Sequence, residues 1–375
     1  MIRTDRDPVI IAARRTHIAT RGRALARATA AELAAPVIQH TLRDARRVAA
    51  GEIEVADVVL GNCMGPGGNL GRIAALGAGL GFGVPGGTVD RQCGSGLAAI
   101  IDAAAAIRGG DARPRIAGGV ESASTAPTRS TDGRPYARAP FTPAGFADPD
   151  MVRAAEDLAA HDGISRRRQD AHAARSHARA RAARTAGRFD DETVPILGSR
   201  DDDAIGVADA VLARLPAVFP GGTVTAGNTA RVSDGAATVL LVPEGRGPGL
   251  ALRAAAVIGC DPALPGIGAA AAVQAALASR MLATREVEAF EIVEAFAAQS
   301  LAVLDRLHLS EDDSRVSTDG GALAYGHPWG ASGTVSVVRL FSRLVRGGAP
   351  SGTYGVAAAS VGGGLGVAAL FQVVR

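Results

Sequence analysis

Short apolar runs recur along the chain at Val9 to Ala13, Val58 to Leu60, Ile116 to Gly118, Thr238 to Val242 and Gly355 to Ala359. Their length and lack of polar alternation predict buried strands, and the alanine-rich stretches between them predict helices. That alternation implies an α/β fold. Strand and helix alternate with glycine-rich turns up to about Ser122 and again after about Leu252, so two similar halves are expected. Between them the pattern changes. An irregular, proline-rich stretch from Ala126 to Pro149 leads into a strongly helical one from Met151 to Ala186. The expected organisation is a first half over 1–121 with 233–252 returning to it, an inserted region over 122–232, and a second half over 253–375.

Length and composition add limits to this picture. A chain of 375 residues exceeds one small core. Apolar residues make up 47% and aromatic ones 3%, so the interior must be built mostly from Ala, Val and Leu, which suits helices packed closely on sheets. The chain contains no lysine, so all 40 basic side chains are arginines, which excludes a Schiff-base lysine and a lysine-bearing phosphate loop. With a formal net charge of +3 and acids interleaved among the arginines, a nucleic-acid partner is not expected. Cys63, Cys93 and Cys260 have neither metal-site spacing nor an even disulfide count, so no metal is expected and a reducing, cytoplasmic setting fits. The first apolar run is too short for a signal-peptide core or a membrane span.

Chemistry concentrates in a few segments. DRQCGSGLAAI places Cys93 where a helix begins, a position that favours the thiolate nucleophile; the other reading is a small buried hydrophobe. GGALAYGHPWGASG sets His327 in a turn free of bulky side chains, as either a substrate-facing imidazole or a packed one. AAASVGGGLGVA ends an apolar run at Ser360 and exposes backbone N–H groups at Gly362, Gly363 and Gly364, suited to an oxyanion or simply to a tight turn. On the helical stretch, Arg168, Arg175 and Arg179 share one face, which is either solvated or meets an anionic ligand.

In this order, with VIIAARRT, GRIAALGAGL, GGVESAS, GGTVTAGNTARVSDGAA and VEAFAAQ, these segments resemble the thiolase family over almost the whole length. The resemblance implies a duplicated five-layer αβαβα fold with an inserted loop domain, a homodimer or homotetramer, and a coenzyme A thioester as substrate with no tightly bound cofactor. It implies that Cys93 takes the acyl group, that His327 lowers the thiol pKa, and that the N–H groups of Cys93 and Gly362 form an oxyanion hole. Met151, Phe219, Ala226, Gly227 and Phe296 match pantetheine-lining positions.

Departures from the family pattern fall on one half-reaction. Ser360 stands where a second cysteine moves the α-proton, and Val293 stands where an asparagine holds a water for the enolate. Ala230 replaces a pantetheine-touching serine, and Asp90 replaces an asparagine. An alkyl hydroxyl is a far weaker acid than a thiol and works poorly as an acid/base near neutral pH. Three readings follow: an acyl-CoA acyltransferase that loads Cys93 but serves an altered acceptor, an ordinary thiolase with a weakened acid/base, or a non-catalytic subunit that binds CoA thioesters.

Overall fold

The computed structural model describes residues 7–198 and 209–375. The first series of elements is β1 (Pro8–Thr16), β2 (Ala19–Thr20), α1 (Ala30–Val48), β3 (Asp57–Gly61), α2 (Leu70–Gly77), β4 (Gly86–Val89), α3 (Ser95–Arg108) and β5 (Arg115–Glu121). A reciprocal cap starts α1: Thr29 accepts from the Glu32 N–H, and the Glu32 carboxylate accepts from the Thr29 N–H. The middle region carries a hairpin, β6 (Arg129–Thr131) with β7 (Arg134–Tyr136), then α4 (Met151–Asp162), α5 (Arg166–Thr185), β8 (Thr193–Val194) and α6 (Asp209–Leu212). After β9 (Ser233–Pro243), the second series is β10 (Gly249–Gly259), α7 (Gly268–Ala278), β11 (Val287–Ile292), α8 (Ala297–Arg306), α9 (Ala322–Tyr325), α10 (Trp329–Leu340), β12 (Tyr354–Val361) and β13 (Leu365–Val374).

Strand pairing shows the duplication directly. The first half runs β1-β9-β5-β3-β4, antiparallel across the first two pairs and parallel across the last two. The second runs β10-β13-β12-β11, antiparallel twice and then parallel, and a parallel bridge from Phe290 to Val316 stands at the fifth position. Both halves therefore share one order and one set of strand directions. They join where β1 meets β10 at Val9↔Ala251 and Ile10↔Leu250.

Packing turns this order into five layers. α1 and α2 cover the outer face of the first half, where Leu33, Val37 and Ile38 meet Val58, Leu60 and Leu240. On the outer face of the second half, Val273 of α7 meets Phe290, Val356 and Leu370, with α8 alongside. Between the sheets lie α3 and α10, whose Leu97, Ile100, Val335 and Val338 share one core with Val239 and Val367. These central helices approach at glycines: a Cβ on Gly96 would lie 2.7 Å from the Gly330 carbonyl, so neither position tolerates a side chain without displacement.

The middle region is fastened to both halves. β8 pairs with β1, and buried Glu192 joins Arg15 of β1 to Arg339 of α10. The arginines on this face of α5 are partly exposed but are engaged within the chain. Arg168 pairs with Asp305 and Glu311, Arg175 with Asp312, and Arg179 donates to the Val316 carbonyl, so this face clamps α5 to the end of α8 and the segment after it. Its acidic partners lie more than a hundred residues downstream, beyond the reach of helical periodicity.

Candidate active site

The two central helices begin at the carboxyl ends of the parallel strands, where α/β sheets bind ligands. Cys93 lies two residues before α3, in a one-turn 3₁₀ segment over Gln92–Gly94, and His327 lies two residues before α10. Duplication thus places the Cys93 thiol and the His327 imidazole at equivalent points. Gln92, the residue joined to Cys93, has φ +45°, a left-handed conformation that costs a non-glycine residue energy and is held by its surroundings. Its carbonyl accepts from the Ser95 hydroxyl at 2.7 Å and from the Cys63 thiol at 3.1 Å.

The thiol is half-buried by surface area yet deeply enclosed. Burial pushes its pKa up to about 12, opposed by the N–H groups of Cys93 itself and of Gly362 and reinforced by the charges of Glu121 and Asp90. The sequence predicts a thiol lowered by a helix start and by His327; burial instead raises it. Burial likewise lowers His327 to about 4. Its Nδ1 meets the Ser332 hydroxyl at 2.6 Å, while Nε2 is buried with no hydrogen-bond partner. At neutral pH the pair rests as thiol and neutral imidazole. Such an imidazole can take a proton.

The backbone N–H groups of Cys93 and Gly362 are the groups that favour the thiolate at this position. Phe141 and Met151 close over Gly362, whose Cβ, were there one, would lie 2.6 Å from Phe141 and 3.4 Å from Met151 Sδ. Phe141 went unnoticed in the sequence because the stretch around it has no periodicity. Half-buried Phe219 lies under the Arg153 guanidinium at 4.9 Å. Glu156 of α4 ties down the following turn by accepting from the Thr223 and Val224 N–H groups. Ala226 is exposed, Gly227 is buried against Leu212 and Leu215, and Phe296 caps α8 beside Thr229. The Ala230 N–H donates to the Ala295 carbonyl and the His327 N–H to the Arg231 carbonyl, so the loop over 226–231 is tied both to the start of α8 and to the imidazole's backbone.

The departing positions sit together. Val293 and Ala230 pack with Ala322 and Ala359 in one apolar cluster where the family pattern would place an asparagine and a serine. The Ser360 hydroxyl donates to the Gly266 carbonyl at 2.6 Å and accepts the Ala269 N–H at 3.1 Å. It ties the start of α7 rather than standing free. Glu121 and Asn62, not singled out in the sequence, form a buried polar pair beside Cys63; Glu121 lay inside the matching segment GGVESAS. A cavity of about 990 Å³ between α1 and the turn after α2 contains none of these residues. Among the described residues no group of three or more His, Cys, Asp or Glu is placed to hold a metal ion, and no helix is long and apolar enough to cross a membrane.

A thiol and an imidazole just before the paired central helices of a duplicated α/β fold mark the chain as of the acyl-transferring class. The chain belongs to the thiolase family: the thiolase N-terminal domain matches residues 8–245 and the thiolase C-terminal domain residues 248–373. It is 39% identical to the Bacillus subtilis protein named "Putative acetyl-CoA C-acetyltransferase YhfS", over 98% of this chain and 99% of that one. It is also 39% identical to the Staphylococcus haemolyticus "Putative acetyl-CoA C-acetyltransferase VraB", over 99% and 100%. The crystal structure of the Bacillus anthracis acetyl-CoA acetyltransferase superposes with a TM-score of 0.89 at 35% identity, over 99% of this chain and all of that one. The chain is accordingly an acyltransferase of a family that uses CoA thioesters.

Proposed function

We propose that this acyltransferase loads an acyl group from CoA onto Cys93 and delivers it to an acceptor that no second thiol deprotonates. The observation that carries the reading is the hydroxyl of Ser360, hydrogen-bonded as donor to Gly266 and as acceptor from Ala269. In the first half-reaction, the Cys93 sulfur attacks the thioester carbon as its proton passes to Nε2 of His327. The carbonyl oxygen gathers charge against the N–H groups of Cys93 and Gly362. Collapse forms the acyl-cysteine and expels the CoA thiolate, which takes the proton from His327. Met151, Phe219, Ala226, Gly227 and Phe296 line the path for the pantetheine arm, and Ala230 and Val293 form its apolar inner wall.

For the second half-reaction, two acceptors fit a site with an apolar Val293 cluster: a carbanion released by decarboxylation of a malonyl-type thioester, or an oxygen or nitrogen nucleophile. An ordinary thiolase is the second reading, supported by the names of the relatives. Intact mass after incubation with a panel of acyl-CoAs decides the first step. Native protein gains the acyl mass and Cys93→Ala does not; no adduct with any thioester would sink the reading. Brisk cleavage of acetoacetyl-CoA by native protein would favour the ordinary thiolase.

A second copy of the chain is the partner proposed. Among the described residues β4 pairs only with β3, leaving its other edge open. Near it Ile73, Leu76 and Phe82 are 46%, 41% and 92% exposed. An open strand edge beside apolar side chains favours pairing across a twofold axis. Three free cysteines suit a cytoplasmic setting.

A further inference from the structure

Glu121 ends β5 and is fully buried. Its Oε2 accepts the Gly330 N–H at 3.0 Å and the Cys63 N–H at 3.2 Å. Its Oε1 accepts the Met64 N–H at 3.0 Å and Asn62 Nδ2 at 3.0 Å. None of these partners is a cation, so neutral donors alone compensate a buried carboxylate, an arrangement far more costly than an apolar side chain unless every donor is held in place. The donors come from both halves. Gly330 is the second residue of α10, three positions after His327. Cys63 passes the restraint onward, because its thiol donates to the carbonyl of Gln92, the left-handed residue joined to Cys93.

We propose that Glu121 is a positioning residue for acyl transfer, holding the His327 helix through Gly330 and the Cys93 turn through Cys63 in fixed relation to each other. The inference rests on the reading of Cys93 as acyl acceptor. A carboxylate in this place holds the start of α10 and the loop over 62–64 with the same two oxygens, so the catalytic thiol and imidazole move together or not at all. The charge has a separate signature. Glu121 and Asp90 are the acids that raise the Cys93 thiol, and Cys63 is the other thiol beside it.

The test compares native protein with Glu121→Gln, Cys63→Ala and the double variant, each checked for cooperative melting. Rapid-quench intact mass gives the rate of acyl loading. Iodoacetamide alkylation of the tryptic peptide spanning 92–108, followed against pH, reports the thiol without any acyl-CoA. Loading by Glu121→Gln should fall by about tenfold to a hundredfold, the scale on which a small misplacement of reacting groups acts. Its alkylation profile should shift to lower pH, because a negative neighbour is gone. Cys63→Ala should load several-fold more slowly, on the same misplacement argument. The double variant should be no slower than Glu121→Gln, because both changes cut one path. Native loading rates in a folded Glu121→Gln, an unshifted alkylation profile, or losses that simply add in the double variant would overturn the proposal. If Glu121→Gln does not fold, Cys63→Ala decides alone, and native rates of loading and alkylation in it overturn the proposal. If native protein takes no acyl group at all, the functional reading fails, while the alkylation profile still tests Glu121.

Discussion

The two halves of the duplicated fold can be laid on each other through their strand registers, Gly61↔Gly119 in the first and Ile292↔Ala358 in the second. On that register Asn62 corresponds to Val293, and Glu121 to Ser360. In the first half these strand ends are polar, and the side-chain amide of Asn62 donates to Glu121 within a network that reaches the nucleophile turn. In the second half Val293 lies among alanines, and Ser360 is turned to the start of α7. At these two matched positions one half carries a hydrogen-bonded polar pair and the other an alanine-lined valine with a serine bonded elsewhere. Glu291 and Glu294, on either side of that valine, are nonetheless buried carboxylates bonded to Arg343 and Ser176. Around Val293 and Ala230 the second half is therefore a packed apolar cluster rather than a polar site with a group missing. That fits a site that keeps acyl loading and relinquishes enolate chemistry.

The largest effect should come from His327, the second half's contribution to loading. His327→Gln should slow acyl loading of Cys93 by about a hundredfold to ten-thousandfold, the usual range for losing a proton acceptor. Loading at the native rate would show that the first half works alone. The same variant changes acid stability. His327 is held near 4 in the folded protein against 6.5 in the unfolded chain, so between those values the unfolded state binds more protons. Stability is therefore lost as pH falls through that window. Removing the group should spare about 3 kcal/mol of that loss at pH 4, read by denaturant titration. His172, lowered by burial to about 3, leaves a residual slope in the variant.

Next comes rebuilding the second half. Val293→Asn with Ala230→Ser and Ser360→Cys returns a water anchor, its polar neighbour and a thiol. Cleavage of acetoacetyl-CoA by free CoA should rise by about a hundredfold, the scale of restored acid/base catalysis, with loading unchanged. The three changes belong together because Ala230 and Val293 share one cluster, and an asparagine alone would be buried without a partner. No gain in cleavage from a folded triple variant would mean that the difference between the halves lies deeper than these side chains.

The sequence located the candidate residues at the strand ends but not their surroundings. Cys93, His327 and Gly362 were legible because each sits in a glycine-rich turn just outside a regular element, where a reactive side chain or N–H stands apart from packing. The thiol's direction of shift was not legible, since a helix start is local while burial depends on the chain folded around it. Arg168, Arg175 and Arg179 show the same limit: their spacing placed them on one face, but Asp305, Glu311 and Asp312 come from a distant segment. The duplicated order of strands was visible as two alternating halves. The correspondence of Glu121 with Ser360 needed the register.

The smallest effect should come from Ser360→Ala, and it bears most directly on the contrast between the halves. The helix α7 has no side-chain cap of its own at Ile267, and the Ser360 hydroxyl supplies one from β12 by accepting the Ala269 N–H. Alanine leaves that N–H and the Gly266 carbonyl without this partner, which should cost about 1–2 kcal/mol of stability. Loading of Cys93 should stay within about twofold of native, because nothing in the acylation step uses the hydroxyl. Any acetoacetyl-CoA cleavage shown by native protein should persist equally. A tenfold or greater fall in that cleavage, with loading intact, would make Ser360 a working acid/base; that scale matches loss of a proton-transfer group. The second half would then be a weakened copy of the family site rather than a replacement for it.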